Sequence, residues 1–300
     1  MWKKVVLILL ATVLLIGWGS VFLVGGIVAV FAWWVMLVFS LFGVVILIIS
    51  LIIIIYQLFK RRRVSQLTSA ICILSIIAAW PCGWLIVIGQ MAYPANIHSA
   101  TPKAAIRLPI NQSVLVGWGG NRLETNYNHA MAPNERWAYD LLIPPAGIKS
   151  SKLDDYGIFG VEVVAPASGT VVSVNNAEAD LMPGTDNFES MPGNHVYIRL
   201  DETDTYLMIA HLKKDSVRVK VGQHIQEGMV IAQVGNSGNS SEPHLHIHHQ
   251  RQDPSKTSMF LSEGLPLYFR DIDGPAMPEG GIRVKNGDEV PVGDVISPVS

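Results

Sequence analysis

Aspartate and glutamate are absent from the first 90 residues of this 300-residue chain, and cysteine is absent after residue 91. The first absence extends further between Val5 and Phe59, where no charged residue of either sign occurs. A stretch of that length without charge has no water-facing side and is excluded as a soluble fold. The second absence excludes a disulfide framework or a cysteine zinc site in the remainder, because both cysteines, Cys72 and Cys82, lie in an apolar segment. A basic surface is also missing. Six of the 22 Lys and Arg (Lys3, Lys4, Lys60, Arg61, Arg62 and Arg63) fall within residues 1–90, leaving 16 against all 24 Asp and Glu, a formal charge of −8. A nucleic-acid footprint needs a basic face, so nucleic acid is excluded as a partner. An acidic domain of this kind is soluble and is not drawn to anionic lipid.

What is present in the first part is Val, Leu and Ile. A membrane span needs about 20 apolar residues, so Val5–Phe59 suffices for two, with a hairpin expected near Gly25–Trp34 and with Trp33-Trp34 suited to a membrane interface. Lys60–Arg63 marks a cytoplasmic loop by the positive-inside rule. A third apolar stretch runs from about Leu67 to Met91, with a kink expected at Pro81-Cys82-Gly83. Lys3-Lys4 places the N-terminus inside, so three spans deliver residue 92 onward to the outside. The first segment is too long for the apolar region of a cleavable signal peptide. No charge lies within the spans to suggest transport. Their expected role is anchoring in the lipid bilayer, which makes this a multi-pass cell-membrane protein with an extracytoplasmic domain.

Residues 92–112 read as a linker and 271–300 as a tail. Between them, 113–270 alternate apolar and polar residues in short runs broken by Gly, Asn and Pro, with no long helical period. Strands are expected at Ser113–Trp118, Trp137–Ile143, Val161–Ala165, Thr170–Val174, His195–Leu200, Thr205–Leu212, Met229–Val234 and His244–His249. The fold class is mainly β. Asn286-Gly287-Asp288 reads as a turn in the tail.

Three elements carry chemistry. In His244-Leu245-His246-Ile247-His248, strand alternation puts the histidines on one side and Leu245 and Ile247 on the other. Two imidazoles two residues apart on one face reach one small site, where one ligates a metal while the other handles protons. The plainer alternative is a solvated edge-strand face. In Met208–Leu212, Leu207, Ile209 and His211 are expected to share a face. A lone histidine there gains meaning only by converging on the first cluster. Asn128-His129 precedes Arg136-Trp137-Ala138-Tyr139-Asp140-Leu141, in which Asp140 interrupts an apolar run. A carboxylate there is costly to bury unless it is paired with an arginine or bound to a metal. His195, His224, His248 and His249 are expected at the surface, and His98 in the linker.

Together these elements resemble the lysostaphin/LytM-type zinc endopeptidases. The matching residues are Ala138-Tyr139-Asp140, Ala165–Val171, Gly193-Asn194-His195-Val196, Ala210-His211-Leu212, Val221–Gly228, Val234–Gly238 and Pro243-His244-Leu245-His246. The resemblance covers about residues 113–270 and implies an antiparallel β domain with a narrow groove. It implies zinc as cofactor, Asp140 and His246 as zinc ligands, and His211 and His244 as the catalytic histidines flanking the site. The implied substrate is the peptide of cell-wall peptidoglycan. One position departs from the family pattern, His-x-x-x-Asp. Arg136 stands four residues before Asp140, and arginine stays protonated and cannot ligate. His129 is the nearest upstream histidine, so it is the expected third metal ligand, reaching in from a longer loop past Pro133. Three protein ligands with an open position make a catalytic rather than a structural zinc site. Two rivals are a non-catalytic domain of the same fold that binds the wall or activates a separate hydrolase, and a membrane sensor. The sensor needs a cytoplasmic output domain that the short cytoplasmic segments cannot hold. A regulatory protein partner is left open.

Overall fold

The computed structural model describes residues 1–86, 88–285 and 288–299, and the chain divides into two compact units, Met1–Met91 and Ala92–Ser300. The first unit is helical because its apolar side chains leave backbone polar groups no partner but each other. Helix α1 spans Trp2–Gly19 and runs on into a π turn at Ser20–Val24; α2 spans Gly26–Phe59; α3 spans Gln66–Ala79 and continues as a 3-10 turn, Trp80–Ile86. All three stretches are long and apolar enough to cross a membrane. The first reversal falls at Gly25-Gly26, whose φ of 76° and 62° suit glycine. Trp33 and Trp34 therefore lie inside α2, and Trp33 stacks on Trp84 with ring centroids 5.4 Å apart. Helix α3 opens with Ser65, whose hydroxyl accepts from the Thr68 N–H, and its α geometry ends just before Pro81.

The second unit is built from short strands: β1 Ala104–Ile106, β2 Val114–Trp118, β3 Tyr139–Leu142, β4 Glu162–Val164, β5 Gly169–Asn175, β6 Asn194–Leu200, β7 Tyr206–Leu212 and β8 His224–Ile225. They continue as β9 Val230–Gln233, β10 Leu245–Gln250, β11 Gly264–Leu265, β12 Leu267–Phe269, β13 Ile272–Asp273, β14 Ile282–Lys285, β15 Asp288–Pro291 and β16 Val295–Pro298. One helical turn, α4, spans Tyr127–Ala130. Each of the eight expected strands is present. The large antiparallel sheet runs β13-β16-β2-β3-β10-β7-β6-β5-β8, with β11 also paired to β10. Tyr139, Leu141, Val196, Ile198, Leu207, Ile209, Leu245 and Ile247 point to one side and are at most 1% exposed. Burying each such side chain contributes roughly 1.5–3 kcal/mol, so register in the centre of the sheet is strongly fixed. The opposite face of the same strands is free to carry the site.

The stretch read as a linker is more than a connection. Strand β1 pairs in parallel with β12, and Ile106, Leu108 and Ile110 are buried in the core. The tail also joins in: β16 pairs with β2 through Val295↔Leu115 and Ile296↔Val114, and β14 and β15 form a hairpin. In β1 and β16 the alternation is too short to read from sequence, and their partners β12 and β2 lie more than 150 residues away. In the turn expected at Asn286-Gly287-Asp288, residues 286 and 287 lie outside the described residues.

Candidate metal centre

Asp140 sits between the core residues Tyr139 and Leu141, so strand alternation turns its carboxylate to the open face. The antiparallel register sets His246 opposite Asp140, with His246 Nδ1 3.0 Å from Asp140 Oδ1. His129, on α4, brings Nε2 to 3.3 Å from the same oxygen, and His244, just before β10, brings Nε2 to 3.5 Å. The acid is therefore ringed by three imidazoles and no arginine. Ligating atoms of His129, Asp140 and His246 lie within 4.8 Å of one another, and so do those of His211, His244 and His246.

His211 reaches this face by a departure from regular pairing. Asn194 pairs with Leu212 and Val196 with Ile209, so Ala210 and His211 together oppose His195 in a β-bulge. His211 takes φ = 59°, and its ring turns to the groove beside Met208 and Ala210, away from Leu207 and Ile209. The expectation that His211 shares a face with Leu207 and Ile209 is thus corrected: the extra residue breaks the alternation. Left-handed backbone at a non-glycine residue costs on the order of 1–3 kcal/mol and persists only when its surroundings hold it. Here the His211 N–H donates to Pro192 O at 3.0 Å, and its carbonyl accepts from the Gly235 N–H at 3.0 Å. The Gly193 and Gly238 loops press together behind the ring. A Cβ on Gly238 would lie 2.3 Å from Gly193 N.

Arg136 takes no part. It is 4% exposed, donates to Pro94 O, Asn121 O and Asn121 Oδ1, and lies over the Trp137 ring 4.9 Å from its centroid. Burial lowers its pKa to about 10. Behind it the chain folds through a 3-10 turn, Pro133–Glu135, and this fold-back returns α4, with His129, to Asp140.

Hydrogen bonds outside the cluster set the ring protons. Asn126 is fully buried, and its Nδ2 donates to Gly120 O and Ala138 O, both at 3.1 Å. Its Oδ1 must then accept from His129 Nδ1 at 2.8 Å. His211 Nδ1 donates to Ser237 O at 2.8 Å, and His244 Nδ1 donates to Glu242 O at 2.8 Å. All three rings therefore present Nε2 to the centre, the arrangement that orients histidine toward a metal. Burial alone would raise the Asp140 pKa, but the neighbouring His129, His244 and His246 hold it well below the usual carboxylate range. Burial lowers His211 far below its ordinary value, helped by His244 and His246, and it lowers His244 despite Asp140. Burial disfavours charge on His129 as well, but the Asp140 carboxylate outweighs it and raises that pKa. The cluster is thus a set of nitrogen and oxygen lone pairs around one carboxylate. Such a donor set fits a divalent cation such as zinc with coordination positions left open.

His248 and His249 correct another expectation: they are 2% and 1% exposed rather than on the surface. His249 accepts from the Thr205 hydroxyl and donates to Pro266 O, and burial pushes it down to about 4. His248 points into the groove, where burial pushes it down to about 3. His224 is exposed beside Asp201, and His195 is half-buried, stacked on Tyr197. The sequence reading missed Glu135, whose carboxylate oxygen lies within 4.8 Å of ring nitrogens of His246 and His248, as well as Asn126, Ser237 and Gln250. The alternation that put His248 beside His246 was the one available signal among these. The cluster floors a groove of about 620 Å3 walled by Trp118, Met191, Tyr197, Met208, Met259 and Phe260.

Residues 155–257 match the family model of peptidase family M23. The chain carries an M23 peptidase-family domain. The matched stretch of this M23 domain includes His211, His244 and His246, while His129 and Asp140 lie upstream of it. No curated protein sequence matches the chain. Among solved structures, it is similar to a zinc-containing peptidase from Vibrio cholerae at 20% identity and TM-score 0.32, covering 49% of this chain and 36% of that one. It is also similar to the catalytic domain of the antimicrobial peptidase lysostaphin from Staphylococcus simulans at 19% identity and TM-score 0.30, covering 49% and 84%. A mutant catalytic domain of the prophage-encoded M23 protein EnpA from Enterococcus faecalis matches at 17% identity and TM-score 0.34, covering 54% and 93%. The chain therefore spans about a third of the Vibrio cholerae peptidase.

Proposed function

We propose that this chain is a membrane-anchored zinc metalloendopeptidase that hydrolyses peptide bonds of cell-wall peptidoglycan on the outer side of the membrane. The observation that carries the reading is the proton order of the cluster: rings locked from behind, with free Nε2 atoms gathered on a single carboxylate at the floor of a groove. His129, Asp140 and His246 would hold the ion, and His211 and His244 would stand free beside it. Zinc, when bound, supplies Lewis acidity that acidifies a water and polarises a carbonyl. His211 and His244, with ring centroids 4.7 Å apart, each offer an unprotonated Nε2 toward the reacting bond. Burial keeps both rings unprotonated, so either can accept the proton of the attacking water at Nε2 and, once protonated, donate from that nitrogen to the developing oxyanion or hand the proton to the leaving amine. Groove walls of Trp118, Met208 and Tyr197 exclude water and hold an extended peptide across the sheet. The three apolar helices anchor the domain beside its substrate.

Zinc content of the purified full chain in detergent, with His129→Ala and His246→Ala beside it, tests the metal reading. One zinc per chain, lost in both variants, is expected. Release of new amines from purified peptidoglycan, abolished in His211→Ala and His244→Ala with zinc retained, is the expected activity signature. Zinc bound without hydrolysis would favour a wall-binding or hydrolase-activating domain, and no zinc would sink the peptidase reading.

A further inference from the structure

His246 differs from the other histidines of the cluster in which nitrogen faces the carboxylate. His129, His211 and His244 turn Nε2 inward and tie Nδ1 behind them. His246 turns Nδ1 toward Asp140 and points Nε2 down its own strand to His248 Nδ1, 2.8 Å away. His248 Nε2 in turn lies 3.2 Å from Gln250 Oε1. These residues are spaced by two on β10, so alternation stacks all three side chains along one face of one strand. All are enclosed: His246 is 7% exposed, His248 2% and Gln250 1%.

The proton order along this row follows from its far end. Gln250 Nε2 lies 2.7 Å from Gln252 O, which can only accept, and 3.4 Å from Ser262 Oγ. The Ser262 hydroxyl is spent on Ser258 O at 3.3 Å, so Ser262 Oγ also accepts from Gln250. The amide orientation is therefore fixed, and Gln250 Oε1 must face His248 as an acceptor. His248 consequently carries its single ring proton on Nε2 and offers a lone pair at Nδ1. His246 meets that lone pair with Nε2–H. That leaves Nδ1, 3.0 Å from Asp140 Oδ1, as the nitrogen on the acid's side, where a cation would take the place of any proton the two share.

We propose that His248 and Gln250 are positioning residues that fix His246 as the tautomer offering Nδ1 to a metal. The proposal rests on the reading of His246 as a metal ligand. It also accounts for a second grouping, Glu135 with His246 and His248, whose ligating atoms lie within 4.8 Å of one another. With His246 Nε2 and His248 Nε2 both protonated and His248 Nδ1 already accepting, that grouping has no free nitrogen for a second ion. A ring fixed by a hydrogen bond on its far nitrogen is a stronger and better aimed ligand, and loss of such a partner costs roughly tenfold to a hundredfold in metal affinity.

The test uses the full chain in detergent. In metal-free protein labelled with 15N at histidine, the proposal expects a protonated Nε2 on His246, assigned by comparison with His246→Ala. A bare Nε2 on His246 in the unmutated protein overturns it, whether or not any variant folds. Zinc affinity, read by competition with a chromophoric chelator, should fall roughly tenfold to a hundredfold in His248→Phe. His248→Asn keeps an acceptor near the place of Nδ1 and should restore most of the loss. Gln250→Leu should scramble the His246 tautomer without touching the metal site. Equal losses in His248→Phe and His248→Asn would mark a merely structural role and refute the proposal. Two zinc ions per chain would refute it as well. A chain with His246 ordered as expected but without zinc affinity would overturn the metal reading and leave the proton order standing.

Discussion

Gly238 and Gly184 provide a matched pair that separates backbone strain from steric crowding at the site. Both are left-handed, with φ of 76° and 79°. A Cβ on Gly184 meets nothing within 4 Å, whereas one on Gly238 would lie 2.3 Å from Gly193 N and 2.7 Å from Gly193 Cα. Gly184→Ala should therefore cost only the left-handed penalty, roughly 1–2 kcal/mol, less some unfolded-state entropy. Gly238→Ala adds an overlap of about 1 Å against ordinary contact distance. The neighbour is backbone and cannot swing aside, so a further 1–3 kcal/mol or so is expected, as for overpacking in a core. The displaced part includes Ser237, whose carbonyl fixes His211 Nδ1 and whose hydroxyl donates to Leu212 O at 2.7 Å. Hydrogen exchange of β7 and β10 amides in the full chain reads the β domain separately from the helices. Gly184→Ala should speed exchange of those amides by about tenfold or less, and Gly238→Ala by about a hundredfold or more, at 1.4 kcal/mol per tenfold. Peptide hydrolysis should fall only in Gly238→Ala. Equal exchange increments in the two variants would refute the claim that the close approach of the two loops supports His211.

Asn126→Leu keeps approximate size and removes the acceptor for His129; zinc affinity should drop roughly tenfold to a hundredfold, checked by chelator competition, and unchanged affinity would remove His129 from the ligand set. Asp140→Asn should abolish zinc binding, checked by metal analysis, because the cluster loses the negative charge on which the ring nitrogens converge. His249 gives a pH dependence: its pKa falls from 6.5 to about 4 on folding, so its contribution is fully present above about pH 6.5 and is lost as pH falls toward 4, where the unfolded chain binds the extra proton. At about 1.4 kcal/mol per unit, roughly 3 kcal/mol is at stake; thermal melts should show that loss in the parent and a flatter profile over the same range in His249→Leu.

How much of this was legible in the sequence differs by element. Strand positions were legible because a half-buried sheet writes its alternation directly into residues such as Tyr139-Asp140-Leu141 and Leu245-His246-Ile247. His211 was legible as a site residue only through its resemblance to a family, since alternation sends it to the core and a one-residue bulge, which leaves no local signature, sends it back. The departure from the family pattern was legible at Arg136, while the return of His129 to Asp140 depends on the fold-back through Pro133–Glu135. Strands β1 and β16 were not legible, because their partners β12 and β2 are distant and each run is too short to show a period. Asn126 was invisible for a different reason: nothing about a lone asparagine states that two carbonyls will fix its amide.

The placement of the ring-locking groups bears on when the centre exists. His129 is fixed by Asn126, which is held by carbonyls of two other segments, Gly120 and Ala138. His211 is fixed by Ser237 on the far side of a bulge, and His244 by the carbonyl of Glu242 in the loop before β10. The His129 and His244 locks are local, but Asn126 is itself held from Gly120 and Ala138, the His211 lock spans 26 residues, and Asp140 meets His246 only once β3 and β10 have paired. A metal ion therefore has no comparable site in the unfolded chain, and its binding energy adds to the stability of the folded domain. For a zinc concentration a hundredfold above the dissociation constant, that addition is about 2.7 kcal/mol. The lone pairs gathered around Asp140 repel one another when no cation is present, so the core of β3, β7 and β10 must hold them there. Packing on the apolar face and chemistry on the polar face of the same strands are in this sense one construction. The side chains of Tyr139, Leu141, Ile209, Leu245 and Ile247 fix the register that makes the groove face a ligand set.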